Sequence, residues 1–419
     1  MSAIRSTVQH VTLNTVWLLA GRVLTQGLSA LTIILIARGL GAVGLGQYAF
    51  LTSIILLLNA LTTFGTDTLI IREVARRSHD IQRWPAAATM IQLALSVVAI
   101  GFIMLVPGRP EQSILPLRLY SLALIPLAVS TVYSAILRGS ERMDLYLIFN
   151  CTTAAMQLLG VLFVVTINGK LILVISALLG TQIIGAVVSA LLVHSLNFHF
   201  DWRVDLTLIR HVATMGFPLV LLMGLGIVYQ RIGIFALSTL ANDAATGWFS
   251  AASRLIEGIK LFPYAVFGAL FPILSRDGDT SQGVKSGQGI DGSYIMLIGF
   301  GLTAAILTTL FAPVLTPLLF GNDYQPTVLA LQILVWSLIP YVVGAHTSLR
   351  LVAANRENTV LAAIGITVPI AIGLNIVLIT WLNVIGAAWA AIASETIQTV
   401  LLLILARTGK PNDFSRSSR

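Results

Sequence analysis

The chain has 419 residues, of which 57% are hydrophobic and only 10% are charged, and its formal net charge is +8. Soluble domains carry roughly 25% charged residues, so this composition excludes an ordinary soluble globular protein. The single cysteine, Cys151, excludes an internal disulfide and a metal site built from cysteines. The basic residues lie in short connections and tails, which favours membrane topology over nucleic-acid binding as their explanation.

Apolar runs recur along the chain, and each has about 20–28 residues, enough to cross a hydrocarbon layer of roughly 30 Å. We therefore predict an all-α, polytopic membrane protein with twelve transmembrane helices. The predicted spans are Val11–Ile36, Val43–Ile71, Trp84–Val106, Leu117–Leu137, Leu145–Ile167, Leu171–Leu196, Val212–Leu240, Gly247–Leu274, Tyr294–Phe320, Thr327–Ala354, Thr359–Trp381 and Ile385–Ala406.

Lysine and arginine predict the orientation of these spans. An even number of spans puts both termini on one side of the membrane, and the connections on that side carry most of the basic residues. The opposite connections hold only Arg38, Arg109, Arg118 and Lys170. Because cytoplasmic connections are enriched in Lys and Arg, we predict a multi-pass protein of the plasma membrane with both termini in the cytoplasm.

The polar connection Ser195–His211 divides the spans into six and six. The turn Gly41–Gly46 in the first half resembles Asn242–Gly247 in the second, which indicates a weak repeat. Halves with six spans each enter the membrane from the same side, so we expect two lobes related by a pseudo-two-fold axis along the membrane normal. The predicted domains are an N-terminal six-helix lobe at 1–200, a C-terminal six-helix lobe at 201–406 and a basic cytoplasmic tail at 407–419.

The stretch Val212–Ser275 concentrates charge within apolar helices. We predict two helices here, joined by the turn Ala241–Thr246. A charge near the bilayer centre costs roughly 2.5–3.5 kcal/mol on insertion scales, so it rarely lies there without a partner or a wet cavity. The helical period puts several of the polar residues on one face, which we interpret as the wall of an internal cavity. The charged residues of this stretch are Arg231, Arg254, Glu257 and Lys260.

The alternative interpretation of this stretch is mutual neutralisation. Arg254 and Glu257 are three residues apart on one helix, a spacing at which side chains can pair. Lys260 could use the same carboxylate. One carboxylate cannot satisfy two cations fully, so we expect some positive charge to remain for a ligand.

Other charged residues lie inside predicted spans. Arg22 shares a face of the first span with Gln26, and it either faces the cavity or joins helices. Glu395, in the middle of the last span, is a candidate proton or cation site, with a helix–helix hydrogen bond as the equal alternative. Asp67 lies about one turn from the inner end of the second span, where it could equally reach the cytoplasm by snorkelling.

The embedded charges sum to a slight positive excess, which favours an anionic substrate that carries phosphate, because arginine offers phosphate a planar, bidentate donor. The sequence shows no Gly-rich phosphate loop and no metal-ligand spacing. We predict a protein that is not an enzyme and that uses neither a cofactor nor a metal.

Several segments resemble the polysaccharide biosynthesis flippases of the multidrug/oligosaccharidyl-lipid/polysaccharide exporter superfamily, in the O-antigen and exopolysaccharide branch. The resemblance covers essentially the whole chain. The lipid II flippase branch usually has two further helices, and the drug-extrusion branch commonly relies on acidic residues. The segments that carry the resemblance are Asn14–Arg22, Ala37–Gly41 with Gly44, Gly46 and Tyr48, Phe64–Glu73, Gly247–Leu255 and Phe271-Pro272.

The resemblance implies a two-lobed fold that moves a polyprenyl-diphosphate-linked oligosaccharide from the inner to the outer leaflet by alternating access, coupled to a proton or sodium gradient. It also implies membrane lipid, a polysaccharide polymerase and glycosyltransferases as partners, and no nucleic acid. We expect Arg22, Gln26, Arg231, Arg254 and Lys260 to bind substrate, and Glu257, Glu395 and Asp67 to couple the ion. The alternative function is an ion-coupled multidrug antiporter of the same superfamily.

Overall fold

The computed structural model describes residues 2–76, 81–105, 114–267, 287–354 and 356–408, and all regular elements within these ranges are helices. Short 3-10 turns lie at Asn322–Tyr324 and Val335–Ser337, and residues 261–267 are also helical. The α-helices are α1 (Ser2–Thr63), α2 (Thr66–Ala75), α3 (Arg83–Leu105), α4 (Ile114–Ser121), α5 (Leu124–Gly139), α6 (Met143–Thr166), α7 (Leu171–His194), α8 (Leu206–Leu240), α9 (Asp243–Ile259), α10 (Gly287–Phe320), α11 (Gln325–Leu334), α12 (Leu338–Ala353) and α13 (Glu357–Thr408).

Nine helical segments within the described ranges are long and apolar enough to cross a membrane, so the chain is a multi-pass membrane protein. Two of these segments have 44 and 51 residues, roughly twice the 20 residues that one crossing needs. Each contains one non-helical residue, Gly41 (φ 67°) in α1 and Asn383 (φ 53°) in α13. Each long segment therefore consists of two helices joined at a sharp bend.

The second predicted span, Val43–Ile71, was expected as one helix, and the structure divides it. Phe64 (φ 54°) and Gly65 (φ 67°) both adopt the left-handed conformation, so α1 ends at Thr63 and α2 begins at Thr66. A side chain at Gly65 would collide with Leu219 of α8. The break is therefore built around a close approach between two helices, which the hydropathy of one span cannot reveal.

Polar side chains satisfy backbone groups at this break. The Gln92 amide donates to the Thr66 hydroxyl at 2.7 Å, and that hydroxyl donates to the Thr63 carbonyl, also at 2.7 Å. Gln92 and Thr66 are both fully buried. A break in a lipid-embedded helix is tolerated where such groups replace the lost helical hydrogen bonds.

Prolines divide two further predicted spans. The span Leu117–Leu137 separates into α4 and α5 at residues 122–123, four residues before Pro126. The span Thr327–Ala354 separates into α11 and α12, with the 3-10 turn preceding Pro340. Proline lacks an N–H and clashes with the carbonyl four residues earlier, so each break falls where the regular helical hydrogen bond to that carbonyl is lost. The Leu122 carbonyl accepts instead from the Ile125 N–H at 3.3 Å.

The eighth predicted span begins earlier than expected and is kinked. The Asn242 side chain accepts a hydrogen bond from the Ala245 N–H at 2.8 Å, so α9 starts at Asp243 and the predicted turn Ala241–Thr246 is much shorter. A turn at Lys260 precedes Pro263 and ends α9. The predicted end of this span at Leu274, the Phe271-Pro272 segment and the tail beyond Thr408 lie outside the described residues.

The chain divides into two compact units, Met1–Ile227 and Val228–Arg419, with the division inside α8. The first unit packs Ile70, Ile136 and Val193 into one apolar cluster, and Trp84 and Val212 into another. The start of α8 therefore belongs to the packing of the first unit.

Side-chain contacts hold the connection between α7 and α8 against other helices of the first unit. Phe200 packs edge-on against Tyr133, with ring centroids 5.3 Å apart, and stacks on Trp202. The Arg83 side chain donates to the Asp201 carboxylate at 3.0 Å. The backbone N–H of Arg203 and then the Arg83 guanidinium stabilise the ionised carboxylate, so the pKa of Asp201 lies below its ordinary value.

The second unit contains the end of α8 and helices α9 to α13. Phe267, Leu297 and Val342 form one of its buried apolar clusters. At the end of α13, the Arg356 guanidinium donates to the carbonyls of Leu405 and Ala406 at 3.0 and 3.2 Å. A cation at this position satisfies terminal carbonyls and complements the negative end of the helix dipole.

Candidate functional site: a charge cluster in the second unit

Five charged side chains of the second unit form ion pairs with one another, and we refer to them as the charge cluster. Helix α8 supplies Arg231, α9 supplies Arg254 and Glu257, the turn after α9 supplies Lys260, and α13 supplies Glu395. The three ion pairs form two groups: Glu257 pairs with Arg231 and Arg254, and Glu395 pairs with Lys260. The cluster thus brings together five of the eight site residues expected from sequence.

Glu257 lies between two arginines. Its Oε2 atom is 2.9 Å from Nη1 of Arg254, and its Oε1 atom is 3.3 Å from Nη1 of Arg231. The expected pairing of Arg254 with Glu257 is therefore present, but the same carboxylate also bridges to α8. Each guanidinium approaches a different oxygen of Glu257, so this carboxylate bridges two arginines by charge-assisted contacts.

Lys260 does not use Glu257, so the pairing suggested by the sequence is wrong. Its Nζ atom is 3.8 Å from Oε1 of Glu395 and 4.0 Å from the ring centroid of Tyr341 in α12. The turn at Lys260 separates it from the straight face of α9, and α13 supplies its carboxylate. For Glu395, the sequence left a proton or cation site and a helix–helix hydrogen bond as equal alternatives, and the structure shows an ion pair with Lys260.

The cluster is largely shielded from solvent. The exposed fraction of the side chain is 12% for Arg231, 20% for Lys260 and 17% for Glu395. Removing ions from water costs several kcal/mol per ion, and pairing often does no more than offset that cost. Stability alone therefore gives little reason to keep three cations and two carboxylates here, which points to function.

Aromatic side chains that the sequence analysis did not assign to the site border the cluster. Tyr341 contacts Lys260 and packs edge-on against Tyr264, with ring centroids 6.1 Å apart. The Tyr229 hydroxyl, buried and without a hydrogen-bond partner among the described residues, lies within electrostatic range of Glu395. The only sequence signal for Tyr341 is its position after Pro340 in an interrupted span.

The remaining expected residues belong to the first unit. Arg22 is exposed and Gln26 is half-buried, both on α1. Asp67 is mostly buried and pairs with Arg138 of α5 at 3.5 Å, and the Arg138 guanidinium lies 5.5 Å from the ring centroid of Tyr146. Asp67 therefore joins α2 to α5 in addition to lying near the helix end.

Within the described part of the chain, no group of three or more His, Cys, Asp or Glu side chains is arranged to hold a metal ion. The charge cluster and the tyrosines beside it offer guanidinium, ammonium, carboxylate and phenol groups, which suit the binding of an anion and the exchange of protons.

The polysaccharide biosynthesis protein family model matches residues 11–277, which include α8, α9 and four residues of the cluster. The chain belongs to this family. The match confirms the family expected from sequence. No curated protein matches the chain in sequence.

Solved structures resemble this polysaccharide biosynthesis protein over nearly its full length. The lipid II flippase MurJ in an inward closed conformation has a TM-score of 0.76 at 15% identity, covering 95% of this chain and 88% of that chain. An inward-facing multidrug resistance MATE family transporter of the MOP superfamily has a TM-score of 0.72 at 17% identity, covering 91% and 94%. A MOP superfamily transporter from Pyrococcus furiosus has a TM-score of 0.65 at 15% identity, covering 93% and 94%. The protein has the fold of MOP superfamily transporters.

Proposed function

We propose that this family member is a flippase that moves a polyprenyl-diphosphate-linked oligosaccharide from the inner to the outer leaflet of the plasma membrane, for O-antigen or exopolysaccharide synthesis. The observation that carries the proposal is the charge cluster, in which two arginines and a lysine converge within an apolar unit of a polysaccharide biosynthesis protein. A diphosphate is the part of such a lipid that requires cations, and guanidinium groups bind phosphoryl oxygens in pairs.

The proposed architecture has twelve transmembrane helices in two six-helix lobes, related by a pseudo-two-fold axis along the membrane normal. The bends at Gly41 and Asn383, each inside a segment long enough for two crossings, support this number. The lobes would comprise residues 1–200 and 201–406, with 407–419 as a cytoplasmic tail and both termini inside the cell. Rocking of one lobe against the other would provide alternating access.

Each of the eight site residues expected from the sequence has a proposed role. The substrate-binding residues are Arg22, Gln26, Arg231, Arg254 and Lys260. Glu257, Glu395 and Asp67 are the proposed sites of ion coupling, with a proton or sodium ion as the coupled species. Ion binding can bias alternating access only if the affinity for the ion differs between the inward-facing and outward-facing states. Carboxylates that hold helices together would allow such a difference. A polysaccharide polymerase and glycosyltransferases are the proposed functional partners.

The second candidate is an ion-coupled multidrug antiporter, because the fold is shared with MATE family transporters. A cationic drug would need carboxylates that are available to it. The cluster instead contains three cations for two carboxylates, a positive excess that favours an anionic ligand. The cluster therefore supports the flippase over the antiporter.

The test is complementation in a host that lacks its own flippase for a lipid-linked glycan, with a leaflet-specific assay of that glycan. Arg22→Ala and Arg231→Ala should each lower transport at least about tenfold, the equivalent of about 1.4 kcal/mol of lost binding to the substrate or transition state. Arg142→Ala is the matched control, because Arg142 pairs with Asp144 in an exposed position outside the cluster. Its transport should match that of the unsubstituted protein.

Full transport by both arginine variants at normal membrane abundance would remove the role of these arginines in holding the substrate. A chain that restores drug resistance in a host without exporters but never moves the lipid-linked glycan would reject the flippase and establish the antiporter instead.

A further inference from the structure

Glu257 occupies the position that best suits a phosphoryl group. Its two oxygens each meet a different guanidinium, from α9 at 2.9 Å and from α8 at 3.3 Å. A phosphoryl group in a diphosphate also offers two terminal oxygens that share one negative charge. Both anions therefore carry one negative charge and can place one oxygen on each of two arginines.

The exposed fractions of the three side chains indicate which of them can move out of the site. The Glu257 side chain is 35% exposed, whereas Arg254 is 23% and Arg231 is 12% exposed. The carboxylate is thus the most accessible of the three side chains and the arginines are the more buried. A change in the position of Glu257 therefore disturbs less packing than a change in either guanidinium.

We propose that the Glu257 carboxylate is an internal stand-in for the substrate's phosphoryl group: the incoming diphosphate replaces it on Arg231 and Arg254, and the displaced carboxylate takes up a proton. This inference rests on the proposed flippase function. It makes Glu257 a competitor of the substrate, whereas a purely structural bridge would have to remain in place.

The charges around Glu257 determine the direction of the proton movement. Glu257 faces Arg231 from α8 and Arg254 from α9. The other titratable groups of the site surround Glu395 of α13: they are Lys260 from the turn, Tyr229 from α8 and, beside Lys260, Tyr341 from α12. Helix α11, which also packs against α9 through Thr327, carries no titratable residue.

Counted over the charge cluster, three cations and two carboxylates leave one net positive charge. A diphosphate diester brings one negative charge on each of its two phosphoryl groups, so with Glu257 ionised the cluster and ligand would be net negative. Protonating Glu257 restores neutrality, which a low-dielectric site strongly favours. By linkage, a ligand whose binding takes up a proton binds more tightly as the pH falls.

The experiment measures binding to the purified full-length protein in lipid nanodiscs at pH 8 and pH 6. The probe is a short-chain polyprenyl-diphospho-N-acetylglucosamine, and the comparison ligand is the corresponding monophosphodiester. For the unsubstituted protein, the diphosphate should bind about three- to tenfold more tightly at pH 6, and the monophosphodiester should change less, since it brings one charge fewer. Glu257→Gln should bind the diphosphate about tenfold more tightly than the unsubstituted protein at pH 8 and show no pH dependence.

Two variants act as controls. Asp144→Asn removes another arginine-paired carboxylate, and it should keep the affinity and pH dependence of the unsubstituted protein. Arg254→Gln should lose at least about tenfold in diphosphate binding, because it removes one of the two guanidiniums.

The outcomes separate this inference from the proposed function. Unchanged affinity and unchanged pH dependence in Glu257→Gln would overturn the stand-in role, while diphosphate binding by the unsubstituted protein would leave the flippase intact. An unsubstituted protein that does not bind the diphosphate would overturn both. If Glu257→Gln does not fold, the pH dependence of the unsubstituted protein decides, and equal diphosphate affinity at pH 6 and pH 8 would overturn the inference.

Discussion

Lys260 shows at the scale of one residue what spacing can and cannot reveal. Its charge inside an apolar stretch is visible in the sequence, as are the charges of Arg231, Arg254, Glu257 and Glu395. Its partner is not, because Glu395 comes from a helix far along the chain. The three-residue spacing of Arg254 and Glu257 did predict their pairing, since residues at that spacing are neighbours on one helix turn.

A double-mutant cycle tests the Lys260–Glu395 pair. Lys260→Met and Glu395→Gln should each destabilise the protein, because each leaves its partner as an uncompensated, largely buried charge. The double variant should recover part of the loss, giving a coupling energy of about 1 kcal/mol. The measurement is the free energy of unfolding from denaturant titration in mixed micelles. Strictly additive losses would show that the two side chains do not interact.

Helix ends and breaks are the features in which prediction and structure differ most at the scale of the element. Pro126 and Pro340 were visible in the sequence, but many membrane helices contain proline without a break, as α13 does at Pro369. The bend at Phe64-Gly65 depends on contact with Leu219, which no local pattern encodes. Hydropathy therefore predicted that each span exists, whereas contacts with neighbouring helices decided whether the span forms one unbroken helix.

Two glycines of α8 provide a matched test of that contact. A Cβ atom at Gly216 would meet the carbonyl oxygen of Phe64, whereas one at Gly226 has nothing within 4 Å. Gly216→Ala should lower the free energy of unfolding by about 1–3 kcal/mol, the usual cost of overpacking. Gly226→Ala should be neutral or raise it by up to about 1 kcal/mol, because alanine favours the helix. Equal stability of the two variants would contradict the close packing of α8 against the break.

The orientation of the chain in the membrane is a property of the whole molecule, and cysteine labelling tests the predicted orientation. In a Cys151→Ser background, Asp205→Cys lies in a connection predicted to be cytoplasmic and Lys170→Cys in one predicted to be external, both at exposed positions. A membrane-impermeant maleimide should label Lys170→Cys in intact cells, and Asp205→Cys only after permeabilisation, because basic connections stay inside. The Cys151→Ser background should not react. The reversed labelling pattern would contradict the predicted topology.

The sequence alone determined that this is an all-helical, multi-pass membrane protein and which charged residues lie within its apolar segments, because hydropathy over a span and the cost of charge in lipid are local properties. The family resemblance was also visible in short motifs. Only the tertiary structure decided that Glu257 bridges two helices, that Lys260 pairs with Glu395 beside Tyr341, and that Asp67 pairs with Arg138. Ion pairs between helices depend on how distant segments pack, and packing is a property of the folded chain that no single segment contains.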